Sequence, residues 1–113
     1  MALRNNLRDI LMPSIHFVER MNNVTKVQGT TDEWESGHWV VGEETARSLI
    51  GGDLYLHSGQ NEPSHFGGKI LSYRVHNGGD VDGRFVFRIR ATLAHKGVRT
   101  GREGWGNEKK LVS

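Results

Sequence analysis

The stretch His57-Ser58-Gly59-Gln60-Asn61-Glu62-Pro63-Ser64-His65-Phe66-Gly67-Gly68 concentrates two imidazoles, two hydroxyls, a carboxylate and a glycine pair in one polar run. Loops held between rigid strands are where sites usually sit, so the chemistry open to these side chains is the first question. His57, Glu62 and His65, with His38 as a further ligand, carry nitrogen and oxygen donors suited to zinc. Their spacing matches no metal motif, and no metal or other cofactor is assigned. Ser58 or Ser64 beside a histidine and Glu62 has the residue types of a nucleophile, a base and an orienting acid. Nothing like G-x-S-x-G is present, and Ser64 after Pro63 serves equally as a turn or cap residue, so no catalytic residue is assigned. Non-covalent recognition of a base, a nucleotide or another polar ligand draws on the most residues. The loop would supply His57, Glu62, Ser64 and His65, and the bare backbone of Gly67-Gly68 would let a ligand approach closely. Tyr55 with Trp39 or Trp105 would stack, and Arg88 and Arg90 would meet phosphate. The plainer alternative is a long hairpin loop whose polar groups satisfy their own backbone.

The other candidates have packing readings of their own. Trp39 on a short apolar strand reads as core as readily as platform, and Tyr73 and Phe85 read as core. Trp105, set among Gly101, Gly104 and Gly106 with charges on either side, reads as one indole docking a C-terminal loop against the body. Asp80 and Asp82 lack the further ligands of a calcium loop and read as a turn.

Local patterning supplies the elements that must position these residues. Leu3, Leu7, Ile10 and Leu11 fall on one face of an amphipathic helix, which ends at Met12 before Pro13. Ile15 to Gln28 reads as two short strands turned at Asn22-Asn23, and Gly29 to Gly37 as a polar, acidic loop around Trp34. His38 to Val41 reads as a strand. Glu43 to Ile50 reads as a short helix with Val41, Thr45, Ala46, Leu49 and Ile50 inward, its glutamates at the positive end and Gly51 as the left-handed residue that closes it. Strands follow at Leu54 to His57 and at Lys69 to Val75, the latter with Leu71, Tyr73 and Val75 on one side. A turn at Asn77 to Asp80 leads to Arg84 to Thr92, the clearest alternation in the chain: Phe85, Phe87 and Ile89 face one way, Arg84, Val86, Arg88 and Arg90 the other. A last short strand is expected over Lys109 to Val112. Strands without regular βαβ alternation indicate an α+β domain spanning residues 1–113. The expected architecture is a small, strongly curved, mostly antiparallel sheet or half-open β-barrel with one N-terminal helix and one short inserted helix.

Size and composition bound the function. With 113 residues, 35% hydrophobic and 25% charged, the chain has the make-up of one ordinary globular domain. No apolar run approaches the roughly 18 residues of a spanning helix, and Met1 to Arg4 lacks the apolar core of a secretory signal, so a cytoplasmic protein without membrane contact is expected. Zero cysteines exclude disulfides, thiolate nucleophiles and thiolate zinc sites. Residues 84–113 hold eight basic against two acidic residues, a net of +6, which leaves −4 for the rest of a chain of +2. Such segregation fits an anion-binding surface or the pairing of subunits.

The order of elements carries a resemblance: the Trp39 strand, a short helix ending in Leu49-Ile50-Gly51-Gly52-Asp53, the strand Leu54 to His57, a loop, Gly67-Gly68-Lys69-Ile70 entering a strand, and one strand more. Over residues 38–92 this resembles the PUA-like superfamily, particularly its ASCH and EVE branches. That resemblance implies a curved β-barrel with inserted helices that binds RNA or modified bases in a cleft between barrel and helices. No functional residue of those families maps onto residues 1–37 of this chain.

The reading that results is a non-enzymatic binding domain for nucleic acid, RNA or DNA, or for a nucleotide-like ligand. One alternative is a structural protein whose basic strand pairs with the acidic segment Asp32 to Glu35 of a second copy, giving a homodimer. The other is a small hydrolase or metal-dependent enzyme built on residues 57–65.

Overall fold

The computed structural model describes residues 12–113. The helix expected over Leu3 to Met12 lies outside the described residues for all but its last position. The strands are β1 (Ser14–Val18), β2 (Val24–Lys26), β3 (Glu33–Trp39), β4 (Asp53–His57), β5 (Ser64–Val75), β6 (Phe85–Ala91), β7 (Trp105–Gly106) and β8 (Lys109–Val112), and the helix α1 spans Glu43–Ser48. The eight strands form one mixed sheet in the order β2-β3-β6-β5-β4-β1-β8-β7, which leaves β2 and β7 as edges rather than closing into a barrel. β1 and β4 are parallel and every other pair is antiparallel. A parallel pair needs a long crossover, and the chain between β1 and β4 supplies it with β2, β3 and α1. Among the described residues, no helix is long and apolar enough to cross a membrane.

Alternation puts Ile15 and Phe17 of β1, Leu54 and Leu56 of β4, and Phe85, Phe87 and Ile89 of β6 on one face, where they are buried with Ile70. The helix covers that face with Ala46 and, just after its end, Leu49. Ile50 is not part of this face: it is exposed, because the helix has already ended and Gly51, at φ +86°, turns the chain away. On β5 the alternation expected from Leu71 is broken. A bulge between Ile70 and Ser72 leaves Leu71 unpaired, so that both Ile70 and Tyr73 face the core, while Val75 at the end of the strand is exposed.

Two segments read as loops are strands. The acidic run that includes Glu33, Trp34 and Glu35 belongs to β3, antiparallel to the basic β6 with Glu33 opposite Arg90 and Glu35 opposite Arg88. Asp, Glu, Ser and Gly are poor strand formers by themselves, but cross-strand charge pairs and the burial of Trp34 against the core outweigh that local preference. The polar run from His57 is a loop only over residues 58–63, for β5 begins at Ser64. Gly67 and Gly68 therefore serve the chain's own packing. A Cβ on Gly68 would overlap the Arg90 carbonyl, and one on Gly67 would overlap the Leu54 carbonyl and crowd His95.

Candidate functional site

On the face of β1 and β4 opposite the core, alternation presents His16, Tyr55 and His57, and β8 adds Lys110 directly opposite His16. The segment after β6 folds over them: a 3-10 turn at Leu93–His95 lays His95 beside Tyr55, and β7 brings Trp105. Tyr55 stacks on His16 with centroids 4.7 Å apart and lies 5.0 Å from the His95 ring. Trp105 packs edge to face with both His16 and His57. Trp105 is thus the docking anchor of the C-terminal segment, and among the described residues its buried Nε1 has no hydrogen-bond partner.

The hydrogen bonds assign the tautomers of the buried imidazoles. His57 Nδ1 lies 2.8 Å from the Glu62 carbonyl, which can only accept, so Nδ1 carries the proton and Nε2 of the neutral ring accepts. His16 Nδ1, 2.8 Å away, donates to it. Burial holds both rings neutral. It is the main reason that the His16 pKa falls to about 4, with the neighbouring His57 and Lys110 adding to it, and burial likewise depresses His57. The Tyr55 hydroxyl is pushed up by burial and then by Asp53. A second chain runs from Thr92 Oγ1 to His95 Nδ1, and from His95 Nε2 to Asp53 Oδ1 at 2.9 Å, where Lys69 also binds at 3.0 Å.

The expected loop residues are engaged in holding this layer together. Ser64 is buried, its Oγ donates to the His95 carbonyl at 2.6 Å and accepts from the Val98 amide at 2.9 Å, so it has no base as partner. His65 Nε2 donates to the Glu19 carbonyl at 3.1 Å, while Glu62 contributes its backbone to His57 and is itself exposed. Among the described residues, no group of three His, Asp or Glu side chains is placed to hold a metal ion, and His38 lies by His76 at a different part of the sheet.

Arg88 and Arg90 are engaged as well. Arg88 Nε meets Glu33 at 2.7 Å, and Arg90 meets Glu33 at 3.5 Å and Asp32 at 3.9 Å. Arg74 of β5 extends the ladder with two hydrogen bonds to Glu35, which lower the Glu35 pKa. The cationic face expected from β6 is therefore neutralised at Arg88 and Arg90 by Glu33 and Asp32. The basic strand and the acidic segment do pair as the homodimer reading supposed, but within one chain.

Trp39 lies apart from Trp105. Its indole stacks on Phe17 with centroids 3.8 Å apart and planes 8° from parallel, and its Nε1 donates to Ser36 Oγ at 3.0 Å. Beside it opens a cleft of about 340 Å³, whose other walls include His38, Val40, Arg84 and the β7–β8 turn through Glu108 and Lys109. Lys109 Nζ donates to the Val40 carbonyl at 2.8 Å and so ties the two walls together. Among the described residues, Arg84 forms no ion pair. Of the residues expected at a ligand, the fold gathers Tyr55, His57, Ser64 and Trp105 into a packed layer and sets Trp39 at the open cleft. Sequence reasoning missed His16, whose out-of-phase place between Ile15 and Phe17 was the signal, and His95, for which local sequence held none. Compared with family models, curated proteins and solved structures, the chain matches none of them, and the reading of the cleft rests on its own geometry.

Proposed function

We propose that this chain is a non-enzymatic binding domain that takes a nucleotide-like ligand in the cleft beside Trp39. The observation that carries the reading is an indole held flat by Phe17 at the wall of an open cleft, next to the guanidinium of Arg84, which forms no ion pair among the described residues. A fixed aromatic face gives a base something to stack on without ordering cost, and a guanidinium without a carboxylate is available to phosphate. At about 340 Å³ the cleft falls in the size range of small-molecule sites and suits a single nucleotide better than a long strand. The ligand contacts expected of Arg88 and Arg90 pass to Arg84 in this reading, because Glu33 and Asp32 already neutralise the former pair.

The test is titration of the purified chain with mononucleotides and with short single-stranded RNA and DNA at low and high salt. Saturable binding that weakens with salt is expected. Trp39→Ala should lower the affinity by roughly five- to a hundredfold, the usual worth of one stacked base, whereas Arg88→Ala with Arg90→Ala should leave it nearly unchanged. Absence of saturable binding, or indifference to Trp39→Ala, would overturn the reading.

A further inference from the structure

Three strand ends meet next to the cleft and bring together residues far apart in the chain. His38 sits in the irregular stretch of β3 between Ser36 and Trp39, His76 follows the last residue of β5, and Arg84 precedes the first residue of β6. Phe85 pairs with both Trp39 and Val75, and the His76 amide donates to the Arg84 carbonyl at 2.8 Å, so the three ends are fixed in register. The His38 and His76 rings meet edge to face with centroids 4.6 Å apart. Arg74 is matched by Glu35, and across the cleft Glu108 lies 3.9 Å from Arg20 and Lys109 is bound to a carbonyl. Among the described residues none of these three side chains forms an ion pair, and Glu35, the acid that acts on His38, is already held by Arg74.

We propose that His38, His76 and Arg84 form a subsite for a terminal phosphate, so that the ligand is a phosphate monoester rather than a nucleoside or an internal stretch of nucleic acid. The base-stacking half of this ligand rests on the reading of the Trp39 cleft. A monoester carries close to two negative charges at neutral pH and presents three acceptor oxygens. Arg84 supplies a forked donor, and each imidazole, once protonated, donates from both nitrogens. The groups that face His38 are His76 and Arg74 from the β5 side, Arg84 from β6 and Glu35 from its own strand. Burial followed by the three cationic neighbours holds His38 below its ordinary pKa, against the pull of Glu35. A bound dianion reverses the sign of that field, so binding draws in a proton, and affinity falls as the pH rises above neutral.

The experiment is calorimetric titration of the whole chain with adenosine 5′-monophosphate, adenosine and inorganic phosphate, each in two buffers of different ionisation heat. The expected result is a monophosphate bound at least about tenfold more tightly than adenosine, the scale of one charge-assisted contact, with net proton uptake near neutral pH. Arg84→Gln should erase that preference and His38→Asn should remove most of the uptake. Equal affinity for monophosphate and adenosine without proton uptake would overturn the subsite and leave the stacking cleft standing. Inorganic phosphate bound with proton uptake while adenosine is not bound would keep the subsite and overturn the nucleotide reading. Failure of all three to bind would remove both.

Discussion

The two faces of the central strands are both covered, by opposite means. On one, Ile15, Phe17, Leu54 and Leu56 are buried with Phe87 and Ile89, and removal of apolar surface from water holds them there. On the other, the residues that alternate with them, His16, Tyr55 and His57, lie under the segment carrying His95 and Trp105, tied by directed hydrogen bonds. The difference teaches where each face is vulnerable. Apolar packing has no direction and fails when volume is lost. A change in the histidine layer leaves buried donors and acceptors unpaired, and the layer depends on its protonation state.

Three measurements break or sharpen that contrast. Phe87→Ala, at a fully buried core position, should lower stability by about 3–5 kcal/mol in urea unfolding, the largest effect expected at any single position considered. A cost no greater than that of a substitution in the histidine layer would mean that the two faces are not distinct. Acid acts on the second face alone of the two. Folded His16 stays neutral down to about pH 4, whereas in the unfolded chain it protonates near the ordinary imidazole value of 6.5. Between those values the unfolded chain binds more protons, so stability falls as the pH drops and is retained above the window. The loss should reach about 2–3 kcal/mol, with the lowered His57 adding in the same direction, and His16→Gln should flatten the slope. A urea midpoint that stays constant from about pH 7 to 4.5 would break the assignment. Ser64→Ala is the mildest: it should cost about 1–2 kcal/mol and speed hydrogen exchange at the Val98 amide, which bonds to that hydroxyl.

Legibility followed the range of the interactions. Phe85, Phe87 and Ile89 were readable as core because period-two alternation is a local signal. Gly51 was readable as the end of α1 for the same reason, as was the short strand over Lys109–Val112. β3 was not, since its acidic residues become a strand only when β6 supplies arginines opposite them. The bulge at Leu71 was equally silent, because it is set by register against β6 rather than by Leu71 itself. For the candidate site, Trp39, Tyr55 and His57 were singled out by residue type, but type does not say which ring is packed and which meets a cleft.

The sequence by itself determined which residues alternate, where the glycine-marked turns lie, and that the basic and acidic groups are segregated along the chain. Tertiary structure alone decided that these charges cancel within one sheet, that His16, His57 and His95 close into one buried layer, and that His38, His76 and Arg84 come together beside Trp39. The physical reason is that alternation and turn chemistry act between neighbours in sequence. Ion pairing, tautomer assignment and cleft formation depend on which strand ends meet in space, and that is set only once the sheet order is complete.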